Sequence, residues 1–197
     1  AGGSLAGPLA EFADELASVS AAPPGTLAAA HTCLQRLTDR AAELAAATGL
    51  DGVADAASAN GAGSLAAAWA QALLRQCRAA LDDLTFLAPC LLLPAAPGGL
   101  EASLAGFADF VAIPNLRGLA GRFETDLCAR IACCRDAEAK TEQRDWLADL
   151  QRQISAGSAR AGERMAAIEL LALQAGELAC MEYDFLFDRR RHLLTIG

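Results

Sequence analysis

The sequence predicts an all-α fold: an antiparallel helical bundle of about six to seven helices, followed by a short C-terminal β-hairpin. Three observations predict it. Hydrophobic residues make up 54% of the 197-residue chain but aromatic residues only 5%, so the apolar content is chiefly alanine and leucine, the two best helix formers. Apolar residues recur at helical spacing over most of the length, and β-branched residues are scarce until the C-terminus. The final stretch, 183–197, then abandons that spacing for strand-like alternation. With a mean hydropathy of +0.27, the chain has ample material for a core, organised as one domain or two small ones.

A first helix is predicted from Pro8 to Ala21, with proline in the first turn and Leu9, Phe12, Leu16 and Val19 on one face, ending before Pro23-Pro24-Gly25. A second runs from Thr26 to Thr48 on Leu27, Leu34, Leu37 and Leu44, with Gly49 as a left-handed C-terminal cap. The small, polar stretch from Asp51 to Gly63 reads as a loop or a poorly formed turn of helix. Ser64 is the expected N-cap of a third helix reaching Leu87, with Leu65, Trp69, Leu73, Cys77, Leu81 and Leu84 inward and Pro89 closing it.

Cys90 to Gly99 is apolar but proline-rich, which predicts an irregular connection pressed on the core. Leu100, Leu104, Phe107 and Val111 define a short fourth helix ending near Ile113, since Pro114 disfavours helix at its predecessor. From Asn115 a long helix, or two nearly collinear ones, carries Leu116, Leu119, Phe123, Leu127, Ile131 and Cys134. After a polar stretch it continues through Trp146, Leu147, Leu150 and Ile154 to end near Ser155–Ser158. The last helix, Ala159 to Glu182, carries Met165, Ile168, Ala172, Ala175 and Leu178. Long helices with short connections predict antiparallel packing. In the C-terminal segment Phe185 and Phe187 alternate with Leu186 and Asp188, Arg189 to Arg191 form a polar turn, and His192 to Ile196 make a second strand.

The net charge of −8 and a single lysine, Lys140, exclude a nucleic-acid surface, which needs clustered cations to neutralise phosphates. The same balance disfavours attraction to anionic lipid. The longest apolar stretch, Phe86 to Leu100, is interrupted by Pro89, Pro94 and Pro97, so no direct membrane insertion by this segment is expected. No secretory signal is read at the start. Seven cysteines, an odd number without a framework, read as reduced thiols in a cytoplasmic setting.

Glu182-Tyr-Asp-Phe-Leu-Phe-Asp188 followed by Arg191-His-Leu-Leu-Thr-Ile-Gly197 resembles the entry into the glycoamylase-like domain of bacterial cyclic β-1,2-glucan synthases. The specific likeness covers roughly the final sixteen residues. It implies residues 1–182 as a linker or scaffold bundle and 183–197 as the start of a truncated glycoamylase-like domain. It also implies a parent membrane glycosyltransferase and transglycosylase that builds and cyclises a glucan from UDP-glucose, at the cytoplasmic side of the inner membrane. None of that family's catalytic residues falls in this chain.

On this reading the segment is a non-catalytic scaffold that positions the downstream carbohydrate-active domain. Phe185, Phe187, Arg191, His192, Leu193 and Ile196 are the expected interdomain contacts, and neighbouring domains of the same polypeptide are the partners. No cofactor, catalytic residue or metal ligand is expected. The alternative is a free-standing helical module that dimerises or binds a partner helix through an exposed leucine stripe, which leaves room for an oligomer. A third reading places a groove for glucan or lipid near Phe86 to Leu93.

Remaining groups read as structural. Cys128, Cys133 and Cys134 lack zinc-finger spacing, and adjacent thiols on a helix diverge by about a hundred degrees. His31 and His192 have no nucleophile or ligand pattern beside them. Asp82-Asp83, Asp14-Glu15 and Glu138-Glu142 read as solvated helix faces, and Trp69 and Trp146 as core residues.

Overall fold

The computed structural model describes residues 5–54, 62–98, 100, 113–136, 140–180, 187–188 and 190–194. Among these there are six α-helices: α1 (Ala6–Ala21), α2 (Leu27–Ala54), α3 (Ala62–Leu87), α4 (Leu116–Gly118), α5 (Glu124–Asp136) and α6 (Thr141–Ala179). A 3-10 turn, Pro89–Leu92, follows α3. A π-helical turn, Leu119–Phe123, joins α4 to α5, so 116–136 is one continuous helical stretch. The expected fourth helix, with Leu104, Phe107 and Val111, lies outside the described residues.

Helices α1 to α3 form the first layer. Thr26 caps α2, its hydroxyl accepting the Ala29 N–H at 3.1 Å. Helix α2 then runs through Gly49 to Ala54 instead of stopping. A glycine held in helical geometry costs only about 1 kcal/mol relative to alanine, and the alanine-rich sequence around it favours continuation. Helix α1 lies antiparallel to α2, as two ion pairs show: Arg40 meets Glu11 at 2.6 Å and Arg36 meets Glu15 at 2.6 Å.

Beneath those pairs Phe12 joins Leu37, Ala41, Leu44, Ala45, Ala70 and Leu74 in one core. Alanine methyls on both sides let α2 and α3 approach closely, which explains a correction on α3. Ala70 and Leu74 face inward, whereas Trp69, expected inside, is 70% exposed and Leu65 is exposed beside it. In an alanine-rich helix several arcs have similar apolarity, and the closest-packing arc wins over the one with the largest side chains. Ser64 also falls inside the helix rather than at its cap.

Pro89 ends α3, and the following connection presses on a second core, as its composition predicts. Cys90 and Leu93 pack against Leu100, Leu127, Ile131, Leu147, Leu150 and Ile154. Asn115 caps α4 by accepting the Gly118 N–H at 2.7 Å. Helices α5 and α6 are not collinear. The Cys128 side chain hydrogen-bonds with Gln151 and Ser155, which places the two helices side by side and antiparallel. Where the chain enters α6, Lys140 is extended and its N–H donates to Gln143 Oε1 at 2.8 Å. Gln143 Nε2 in turn donates to the Gly98 carbonyl at 2.9 Å.

The expected helix end at Ser155–Ser158 is likewise corrected. Helix α6 passes through it unbroken for 39 residues, about 58 Å at 1.5 Å per residue. Gly157 serves close approach there: a Cβ on it would sit 2.5 Å from the Leu87 carbonyl oxygen and 3.2 Å from Pro89 Cδ. This crossing ties the two cores together. Around it Arg160 donates to the Phe86 carbonyl at 2.9 Å, with its guanidinium 4.7 Å from the Phe86 ring centroid. Arg164 pairs with Asp83 at 2.6 Å.

The C-terminal β-hairpin is also corrected, and with it the fold class, which is all-α. What the structure describes there is pairing of Phe187 with Leu194 and Asp188 with Leu193, two residues on each side, around a turn in which His192 is left-handed at φ 51°. Strands of proteins run 3–10 residues and an isolated pair is marginal, so a contact this short is no layer of the fold.

Candidate functional site

Among the described residues no group of reactive side chains is gathered into one site, and the unusual surfaces are apolar. Helix α6 has two halves of opposite character. Its first half places Leu147, Leu150, Ile154, Gly157 and Ala161 in contact with the rest of the molecule, all buried. These positions alternate three and four residues apart, a seven-residue seam. The seam continues beyond the crossing at Ile168, Leu171, Ala175 and Leu178, but every residue of 166–179 is exposed. Leu171 is 64% and Leu173 67% exposed, alongside Ile168, Leu170 and Leu178.

The second surface is a groove of about 330 Å³ between α1 and α3, floored by α2. Leu5 and Leu9 form one wall, Trp69 and Leu73 the other, and Leu44 the floor. Thr48 is the one hydroxyl among its lining residues, and it is internally satisfied because its Oγ1 donates to the Ala45 carbonyl at 2.8 Å. An exposed leucine stripe is what the alternative reading of the sequence expects, without naming its positions; the groove was missed, because Trp69 was placed in the core and periodicity marks the side of a helix that wants cover without showing whether anything covers it.

The α1/α3 groove is a different place from the groove of the third reading, near Phe86 to Leu93. Both Arg160 and Arg164 stand over the Phe86 ring. A polar hollow between α1 and α2, lined by Glu15, Arg36, Asp39, Arg40 and Glu43, is a ladder of surface ion pairs.

The expected interdomain residues do not come together as a described site. Phe185 and Ile196 lie outside the described residues. Phe187 and Leu193 contribute backbone to the short ladder, and Arg191 and His192 are exposed at its turn.

Among the thiols, Cys134 packs on the second core while Cys133 is exposed, as their divergence on one helix predicts. Burial raises the Cys33, Cys77, Cys90 and Cys128 thiols above their ordinary value, so each is held protonated rather than nucleophilic. Trp146 is the core residue expected, its indole N–H donating to the Pro94 carbonyl at 3.0 Å. Glu15 and Asp83, one from each of two acidic pairs, are taken up by arginines, and Glu138 lies outside the described residues.

Among the described residues no group of three or more His, Cys, Asp or Glu could hold a metal ion, and no helix is long and apolar enough to cross a membrane. The reading as a scaffold of a glucan synthase is corrected accordingly, together with its glycosyltransferase, carbohydrate and inner-membrane associations. The described residues show helical packing and apolar surfaces, and no arrangement suited to sugar chemistry. No family model matches the chain, and no curated protein or solved structure is similar to it.

Proposed function

We propose that the chain is a helical protein–protein interaction module whose docking element is the distal half of α6. One observation carries the reading: the seam that is core over the first half of α6 continues over 166–179 with its large apolar side chains in solvent. Large contiguous apolar surface on a folded chain marks interaction sites, and helical anchors at these spacings are the way helices dock on partners. The distal half is apolar beyond that seam as well, through Leu170 and Leu173, and a helix apolar on several sides belongs inside an assembly.

The test is light scattering over a range of concentrations, comparing the chain with a Leu171→Glu, Leu178→Glu variant. Mass that rises with concentration in the former and stays monomeric in the latter, at equal helicity by circular dichroism, is expected. A variant that associates with rising concentration as the parent does would remove α6 as the docking element.

A further inference from the structure

We infer that the α1/α3 groove is a binding site for one alkyl chain of about eight carbons, the tail of an uncharged amphiphile dissolved in water. Its lining residues stand on α1, α2 and α3 or at the entry to α1, so the inference does not rest on the docking role of α6.

Size and shape choose the occupant. The groove holds about 330 Å³. One turn of α-helix, about 10 Å across and 5.4 Å high, fills about 400 Å³, so no helix enters it. An apolar cavity of about 150 Å³ takes benzene, with its six carbons, and by that measure the groove has volume for roughly a dozen. The walls are drawn out rather than round. Leu5 and Leu9 stand one turn apart, as do Leu44 and Thr48, and Ala66 to Leu73 cover two turns of α3, about 10.5 Å at 1.5 Å per residue. A zigzag carbon chain advances about 1.25 Å per bond, so length rather than volume is limiting, at about eight carbons.

Chemistry excludes a polar guest. Thr48 carries the one hydroxyl among the lining residues, and it is buried with its Oγ1 already donating to the Ala45 carbonyl. None of the lining residues is charged. A group that needs hydrogen bonds would lose them there without replacement, whereas a hydrocarbon loses none and covers the exposed Leu9 and Trp69. The head group therefore stays in water, and beside a net charge of −8 an uncharged head is favoured over a carboxylate.

Titration of the full chain with 1-butanol, 1-hexanol, 1-octanol and 1-decanol, read by tryptophan emission and by calorimetry, tests the inference. A blue shift is expected. It reports the groove, because the other tryptophan, Trp146, is held on the second core by its bond to the Pro94 carbonyl. 1-Octanol is expected to bind with a Kd of about 0.1–1 mM, with affinity rising about fourfold per carbon up to eight and little with the next two. Ala66→Leu, which fills the groove from a half-buried wall position, and Leu9→Gln, at an exposed one, are each expected to weaken 1-octanol about fivefold or more at unchanged helicity. The Leu171→Glu, Leu178→Glu variant is expected to bind it like the parent. Octanoate is expected to bind more weakly than 1-octanol, the gap narrowing as salt rises.

Gains that continue undiminished to 1-decanol, or groove variants that bind like the parent, would show partition onto apolar surface at large and overturn the site. Loss of binding in the α6 variant would move the hydrocarbon to α6. Tighter calorimetric binding of 2-naphthol than of 1-octanol would overturn the alkyl guest, and tighter binding of octanoate the uncharged head. No blue shift and no heat up to the solubility limit of 1-octanol would overturn the inference outright, leaving the docking role of α6 untouched.

Discussion

Gly157 shows at a single position how composition misleads and packing decides. In the sequence, Ser-Ala-Gly-Ser reads as a helix end; in the molecule the missing side chain is what lets α6 cross Leu87 and Pro89. Gly157→Ala would gain helix propensity yet is expected to destabilise the protein by about 1–3 kcal/mol, the usual cost of overpacking, read as a lowered urea midpoint. A second contrast lies along one seam. Leu147→Ala, at a fully buried position, is expected to cost about 2–5 kcal/mol, whereas Leu171→Ala is expected to change monomer stability by less than about 0.5 kcal/mol.

Asp83 offers a third test. The hydrogen bond from Arg164 holds its carboxyl below the usual carboxylate range. A depressed folded-state pKa contributes stability above the unfolded value of about 3.9 and loses it as pH falls through the folded value. Both partners are partly solvated, so the effect is a few tenths to about 1 kcal/mol. Denaturation midpoints of the parent and Asp83→Asn are therefore expected to differ at neutral pH and to converge in acid.

At the scale of the element, α6 is one helix with two environments. Its proximal half is held by tertiary contacts with α5 and with the end of α3. Its distal half, 166–179, is exposed at every residue, and helices of about that length are marginal alone in water. Amide hydrogen exchange in dilute solution is expected to show strong protection over 147–161 and rapid exchange over 166–179. Raising the concentration is expected to protect the distal amides selectively. Uniform protection at all concentrations would show that α6 needs no partner. The α1–α2 ladder, Glu11–Arg40 and Glu15–Arg36, aligns two helices whose shared core sets Phe12, Leu37 and Leu44 among the alanines Ala41 and Ala45, a register that leucine spacing alone does not define.

For the whole molecule, the two cores are the relevant units, one from α1 to α3 and the other around α5 and the first half of α6. They meet where Gly157, Arg160 and Arg164 contact the end of α3. Arg160→Ala together with Arg164→Ala is expected to weaken this joint and separate the unfolding of the two units in calorimetry, broadening one transition into two. A single sharp transition in that variant would show that the Gly157 crossing alone couples them.

Helical character, the positions of most helices and the apolar seam of α6 were determined by local sequence, because propensity and periodicity act within a few turns of chain. The helix starts at Thr26 and Asn115 and the stop at Pro89 were legible for the same reason. Three features were decided only by tertiary packing: which arc of alanine-rich α3 turns inward, that α5 folds back on α6, and that α6 continues past Gly157. Each depends on how closely distant segments approach, and small side chains leave that distance open until the helices meet. Periodicity records a demand for cover, and only the assembled bundle shows that 166–179 and the Trp69 groove are left without it.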